Sequence, residues 1–395
     1  MRATVIIIAA AVSTPVLVNA DHTPYYSGLS SQEVKASLVL STWTFALDNS
    51  CEEQDFSSAP LLATVLQHAT FLSYLDIGPS DELFLAEPAV ASAVASLSHL
   101  SDISLGEAGS HTLQCLSQLC SHPRCLSINF KSGYEQIPDD VELLGKIPTS
   151  MEKFSLQTWF HQSIRLCETY VCPTVHSLTL ESPIPLPDAF HAFPNVETLH
   201  VALKEKGDAF LWESVDHLEV LFIYGASVAP SLSVRVRRVT CHLLSLKLLS
   251  FLHSTAPVVL TCDLQYLELR TDCHVHSTFN DSQLWLLASV INLRAVPLLG
   301  LGLFLNVAYG RSPSIASQKS MFASTLAAQL PHLVYVGIST TKCKYRRLVR
   351  GRQEEEEIPL TWFCITRSDG DIQALELSPY EGNKVHHALQ NTLRQ

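Results

Sequence analysis

Apolar residues recur along this chain in one spacing, apolar-x-x-apolar-x-apolar. It begins at Leu72 (LSYLDI), Leu100 (LSDISL), Cys125 (CLSINF), Met151 (MEKFSL) and Val175 (VHSLTL). It begins again at Val196 (VETLHV), Leu218 (LEVLFI), Leu243 (LLSLKL) and Leu264 (LQYLEL), faintly at Val290 (VINLRA), and returns at Leu333 (LVYVGI). Strand side chains alternate faces, so the last two apolar positions share one face and the first opens the turn into the strand. Each occurrence predicts a short strand. Between them lie helix-compatible runs: EPAVASAVASL, SHTLQCLSQLC, DDVELLGKI, WFHQSIRLCETYV, FNDSQLWLLASV and SMFASTLAAQL. Pro123, Pro173, Pro194, Pro257 and Pro331 sit at the joints before strands, where a missing N–H matters least.

Successive starts lie 21 to 28 residues apart, with a last gap of 43. That gap predicts a further unit near LGLFLNVAYG, Leu301 to Gly310. The period is that of leucine-rich repeats. Doubly wound α/β folds have longer units and a glycine-rich strand-to-helix turn. Only 15 glycines occur, and none forms that turn. The expected fold class is therefore α/β, an irregular leucine-rich-repeat solenoid with a parallel β-sheet on the concave face and helices on the convex face.

The ends differ from the middle, as terminal repeats do. We divide the chain into a signal-like or irregular segment (1–28), a short helical segment (29–70), the repeat array (71–340), a charged loop (341–357) and a C-terminal cap and tail (358–395). In the cap, IPLTWFCITRSDGDIQALELS reads as two strands joined at Asp369-Gly370. In the loop, six basic residues precede Glu354 to Glu357, and we read them as a solvated, self-neutralising run.

Composition narrows the function. The net charge of -12 disfavours nucleic acid as a partner. Charged residues make up only 16%, so the surface is partly apolar or amidic and suits protein contact. The 11 cysteines lie mostly in apolar surroundings and read as reduced thiols. Residues 1–20 have the form of a secretory signal, with Arg2, an apolar run from Val5 to Val12, and Val18 and Ala20 at the cleavage positions. That run is too short to span a bilayer, and no transmembrane span is expected. One glycan acceptor occurs, at Asn280.

Candidate chemistry is sparse. Cys115, Cys120, His122 and Cys125 lack the paired spacing of a zinc site and read as core packing. Cys273, His274 and His276 are weak metal candidates, and His386-His387 reads as a solvated pair. No G-x-S-x-G, P-loop or G-x-G-x-x-G phrase occurs. We expect no enzyme, no cofactor and no metal.

Residues 29–48, LSSQEVKASLVLSTWTFALD, have the spacing of a short amphipathic helix pair. The run from Ser37 to Trp43 resembles the back half of an F-box. The repeats, in phrases such as CPTVHSLTL, FPNVETLHV and LPHLVYVGIS, resemble those of F-box proteins of mushroom-forming fungi. The front half of the F-box, an LPxEIL phrase, is absent. The resemblance implies that Leu38, Val39 and Trp43 support contact with a Skp1-type adaptor of a cullin ubiquitin ligase, and that the repeats hold a substrate. A secreted or surface recognition protein is the alternative. Solvent-facing strand positions are expected at Asp76, Ser104, Thr179, His200, Phe222, Lys247, Glu268 and Gly337. Of these, His200, Phe222, Lys247 and Glu268 are the candidate partner-binding residues, with Phe222 as an aromatic hot spot. The chain is expected to be a monomer.

Overall fold

The structure is a computed structural model. It describes residues 4–7, 16–19, 42–45, 56–130, 150–158, 169–181, 186–203, 212, 214–222, 235–243, 264–271, 287, 293–305, 315–340, 360–368 and 371–391. The fold is mixed α/β and its strands are mostly parallel. The chain divides into two compact units. The first is Met1–Ile184 with His191–Asn195 and Leu348–Arg352, and the second is Pro185–Phe190 with Val196–Arg347 and Gln353–Gln395.

In the first unit, β1 (Thr4–Ile7) and β2 (Val16–Asn19) form an antiparallel pair. The strands β3 (Thr42–Phe45), β4 (Tyr74–Ile77), β5 (Asp102–Ala108), β6 (Cys125–Phe130), β7 (Lys153–Thr158) and β8 (Ser177–Glu181) pair in chain order, all parallel. Helices α1 (Ala59–His68), α2 (Ser80–Ala86), α3 (Pro88–Ser96) and α4 (Ser110–Leu116) lie between the early strands. A short helix, α5 (Leu186–Ala192), falls at the division between the units.

The register makes the apolar spacing physical. Leu75, Ile103, Leu126, Phe154 and Leu178 stand side by side across β4 to β8, each 3% exposed or less. Ile77, Leu105, Ile128, Leu156 and Leu180 form a second buried row. Parallel pairing stacks like residue on like, so one repeated phrase becomes a continuous core. Leu66, Phe84, Val90, Val94 and Leu116 of the helices are buried with it. At the start of α4, Asp81 accepts from the Thr112 backbone N–H at 3.0 Å, and Ser80 Oγ donates to the Gly106 carbonyl at 2.8 Å. These bonds satisfy groups that a helix start and a strand bulge leave open.

In the second unit, β9 (Thr198–Leu203), β10 (Ser214–Phe222), β11 (Arg235–Leu243), β12 (Tyr266–Thr271), β13 (Gly300–Leu305) and β14 (Tyr335–Ser339) are parallel and in chain order. The helix α6 (Ile315–Gln329) precedes β14. Leu199, Leu218, Val239, Leu267, Leu301 and Val336 form a row with no member more than 1% exposed. β15 (Thr361–Ser368) and β16 (Asp371–Glu376) close the sheet as an antiparallel hairpin, Ser368 pairing with Asp371 across residues 369–370. Arg367 of β15 donates to the carbonyls of Leu333, Leu330 and Ala327, which satisfies the end of α6. The last helix is α7 (Pro379–Asn391).

Several sequence expectations need correction. Trp43 lies in strand β3, pairing with Leu75, and is not part of a helix. Leu40, Trp43 and Phe45 carry the repeat spacing themselves, and Thr42 and Thr44 favour a strand. In β10 the pairing of Leu199 with Leu218 and of Val201 with Val220 makes the repeat Val215-x-x-Leu218-x-Val220, three residues earlier than expected. In β11 it is Val236-x-x-Val239-x-Cys241, seven residues before Leu243. In β6 the row members are Leu126 and Ile128, two positions early. The faint unit at Val290 opens outside the described residues, and Leu298-x-x-Leu301-x-Leu303 forms a unit where the long gap called for one. Each affected segment is apolar at more than one phase, and neighbour pairing selects the phase.

Candidate functional site

On the face opposite the apolar rows, each unit presents its own columns. The first unit lines up Ser104, Ser127, Ser155 and Thr179, one per strand. Beside them run Tyr74, Asp102, Cys125, Lys153 and Ser177. These residues line a shallow trough of about 280 Å³. The hydroxyls are half-buried and Lys153 is exposed. Small hydroxyl side chains donate and accept, so they fit a polar backbone or side-chain edge without imposing charge. Asp102 and Lys153 give the floor one charge of each sign. Ser101 Oγ donates to Asp102 at 2.5 Å. Burial and Asp102 push the Cys125 thiol up to about 11, so it is held as the neutral thiol. At the rim, Arg124 makes a two-bond pair with Glu152, at 2.9 and 2.7 Å.

The second unit's columns differ in chemistry. One runs His200, Glu219, Thr240, Glu268, Gly302, Gly337 and Trp362. The next runs Thr198, His217, Arg238, Tyr266, Gly300, Tyr335 and Cys364. His200 Nδ1 lies 3.2 Å from Glu219 Oε2. His217 Nε2 shares a 3.0 Å hydrogen bond with Thr240 Oγ1, and burial lowers its pKa to about 4, so the ring is neutral near pH 7.

Glu268 is the centre of this face. Its side chain is fully buried. Tyr266 donates to Oε2 at 3.0 Å, Arg270 donates to Oε1 at 2.6 Å, and His386 Nε2 lies 3.9 Å from Oε2. Burial alone raises a carboxyl pKa, but His386, Arg270 and Arg238 outweigh it and hold Glu268 at about 2. Burial and the Glu268 charge push the Tyr266 hydroxyl well up. Arg270 also lies over the Phe304 ring, 4.9 Å from its centroid.

These positions revise the candidate set. His200 occupies the predicted column. Phe222 does not, since the register partner of His200 is Glu219. Lys247 lies outside the described residues, and the equivalent column position is Thr240, which is buried. Glu268 is in the column but has no solvent exposure, because α7 covers it. Asp76 is likewise buried. His386 is not a solvated side chain: its ring lies 5.6 Å from that of Trp362 and 6.3 Å from that of Tyr266. Leu38, Val39, Cys273, His274 and His276 lie outside the described residues. Sequence reasoning missed Trp362, Tyr266 and Leu389. Two signals mark them: a pair of glycines inside a strand, Gly300 and Gly302, and the helical stripe Gly382, His386, Leu389.

Among the described residues, no group of three or more His, Cys, Asp or Glu side chains is placed to hold a metal. None of the six described cysteines is in a disulfide. Burial pushes Cys115 and Cys241 up to about 12, far from the thiolate a nucleophile needs. No described helix is long and apolar enough to cross a membrane. No protein-family model and no curated protein matches this chain.

Proposed function

We propose that this chain is a protein-binding scaffold, an irregular leucine-rich-repeat solenoid of the kind that serves as a substrate receptor in F-box proteins. The supporting observation is the strand face of the first unit. The trough on it is lined by small hydroxyls, one tyrosine and, in Asp102 and Lys153, one charge of each sign, over a continuous apolar core. A face of this kind reads a partner through hydrogen bonds spread along several strands. The adaptor-binding part of the reading now rests on Leu38 and Val39, because Trp43 pairs within the sheet.

The test is affinity purification of a C-terminally tagged chain, read by mass spectrometry. A co-purified Skp1-type adaptor with residues 1–20 retained is the expected result for a ligase receptor. A chain starting at Asp21 and bearing glycan on Asn280, with no adaptor, overturns it in favour of a secreted recognition protein.

A further inference from the structure

Part of the strand face of the second unit, over β12, β13 and β15, is covered by the chain's own C-terminal helix. Gly382, Val385, His386, Leu389 and Gln390 are the buried or half-buried positions of α7, the stripe of one helix face. Leu389 occupies the space that a side chain on Gly300 would take: a Cβ there would lie 2.5 Å from a Leu389 methyl. Gly382 lets the helix backbone approach Trp362, whose ring would lie 3.0 Å from a Cβ at 382. His386 rests on the rings of Trp362 and Tyr266, above Glu268.

The fit is close in shape and incomplete in chemistry. Only Gly382 of α7 is fully buried, so the helix brings little apolar area to the contact. Beneath it, the Trp362 indole N–H is buried and has no acceptor among the described residues. A buried donor without a partner is a standing cost that a better occupant removes. The floor under α7 holds Trp362 and Tyr266, residue types that dominate binding at protein interfaces, beside the Glu268–Arg270 pair.

We propose that this face is a helix-binding seat, held in the resting chain by α7 and taken in the working chain by a helix of a partner protein. The partner helix carries a small residue, a ring or cation four positions on, and a leucine three further, the spacing of Gly382, His386 and Leu389. It also brings an acceptor for the Trp362 indole. The seat rests on the reading of the chain as a protein-binding scaffold, and adds to it a specified partner element and a built-in competitor.

The probe is a fluorescein-labelled peptide of residues 379–391, titrated by anisotropy against the full chain and against full-length Leu389→Asp. The variant weakens the resident helix and leaves the sheet face unchanged. At least ten-fold tighter peptide binding to the variant than to the wild type is expected. Equal binding to both chains, or binding to neither, overturns the seat. Circular dichroism and slow amide exchange in β13 establish that the variant is folded. If it is not, His386→Ala replaces it under the same criterion. The peptide reads the seat whether or not the chain captures an adaptor, so failure here is distinct from failure of the scaffold reading.

Discussion

Arg270 Nε donates to Glu268 Oε1 at 2.6 Å, two residues along the same strand and beneath the C-terminal helix. A carboxylate fully out of solvent is tolerable because this guanidinium, the Tyr266 hydroxyl, His386 and the Arg238 charge compensate it. Removing the cation leaves a buried charge short of its partner. We predict that Arg270→Ala lowers unfolding stability by about 3 kcal/mol at pH 7, measured by chemical denaturation. A loss below about 0.5 kcal/mol contradicts this, because it is the size of an ordinary surface change.

The same carboxylate sets an acid limit. Its folded pKa, about 2, is below its ordinary value of 4.5. The stability it contributes is therefore present above pH 4.5 and drains as pH falls toward 2. Glu268→Gln flattens stability against pH across that window, at the cost of lower stability at neutral pH. An unaltered slope between pH 4.5 and 2 counts against the ion-pair account.

His217 acts at a higher pH. Burial lowers its pKa from 6.5 to about 4, so the unfolded chain takes up the proton first. Its contribution is complete above pH 6.5 and is lost as pH falls toward 4. Proton NMR of the ring is expected to show a midpoint near 4, and His217→Gln to remove the matching slope from the stability curve. A midpoint near 6.5 sinks the prediction.

A glycine in β5 is required by close approach. A Cβ on Gly106 would lie 2.6 Å from the Gly78 carbonyl oxygen, which is backbone and yields little. Gly106→Ala is predicted to cost about 1–3 kcal/mol by thermal or chemical unfolding. Wild-type stability in this variant shows that Gly106 and the Gly78 carbonyl are not this close.

Thiol reactivity separates the cysteines. Cys120 is exposed, whereas Cys115 and Cys241 are buried with thiols at about 12. Iodoacetamide on the native chain at neutral pH is expected to label Cys120 and spare the other two, as read by peptide mass spectrometry. Equal labelling of Cys115 contradicts its burial.

Much of the fold was legible because the repeat is written in side-chain size and spacing. Leu72, Leu100, Met151, Val175 and Val196 open units where the sequence placed them, since each stands in a segment with one apolar phase. VDHLEVLFIYG and RVRRVTCHLLSLKLL carry two phases each, and only pairing with Leu199 and Leu267 selects one. Local spacing alone therefore points to Phe222 and Lys247, whereas Glu219 and Thr240 hold the column. Local spacing places Glu268 in its column but not out of solvent. Its burial depends on a helix more than a hundred residues later in the chain, a contact that local spacing does not encode. The Asp369-Gly370 hairpin was legible because the signal lies within a few residues.

On the proposed reading, the strand face of the first unit holds a protein partner. The most direct measurement compares proteins captured by the tagged wild-type chain and by Ser155→Arg, which places a long cation in the middle of the trough. Ser155 is a half-buried column residue outside the apolar rows, so unfolding stability should change by no more than about 0.5 kcal/mol. At least a ten-fold loss of the captured partners with the fold intact is expected. The same partners in the same amounts on an equally stable variant would contradict it.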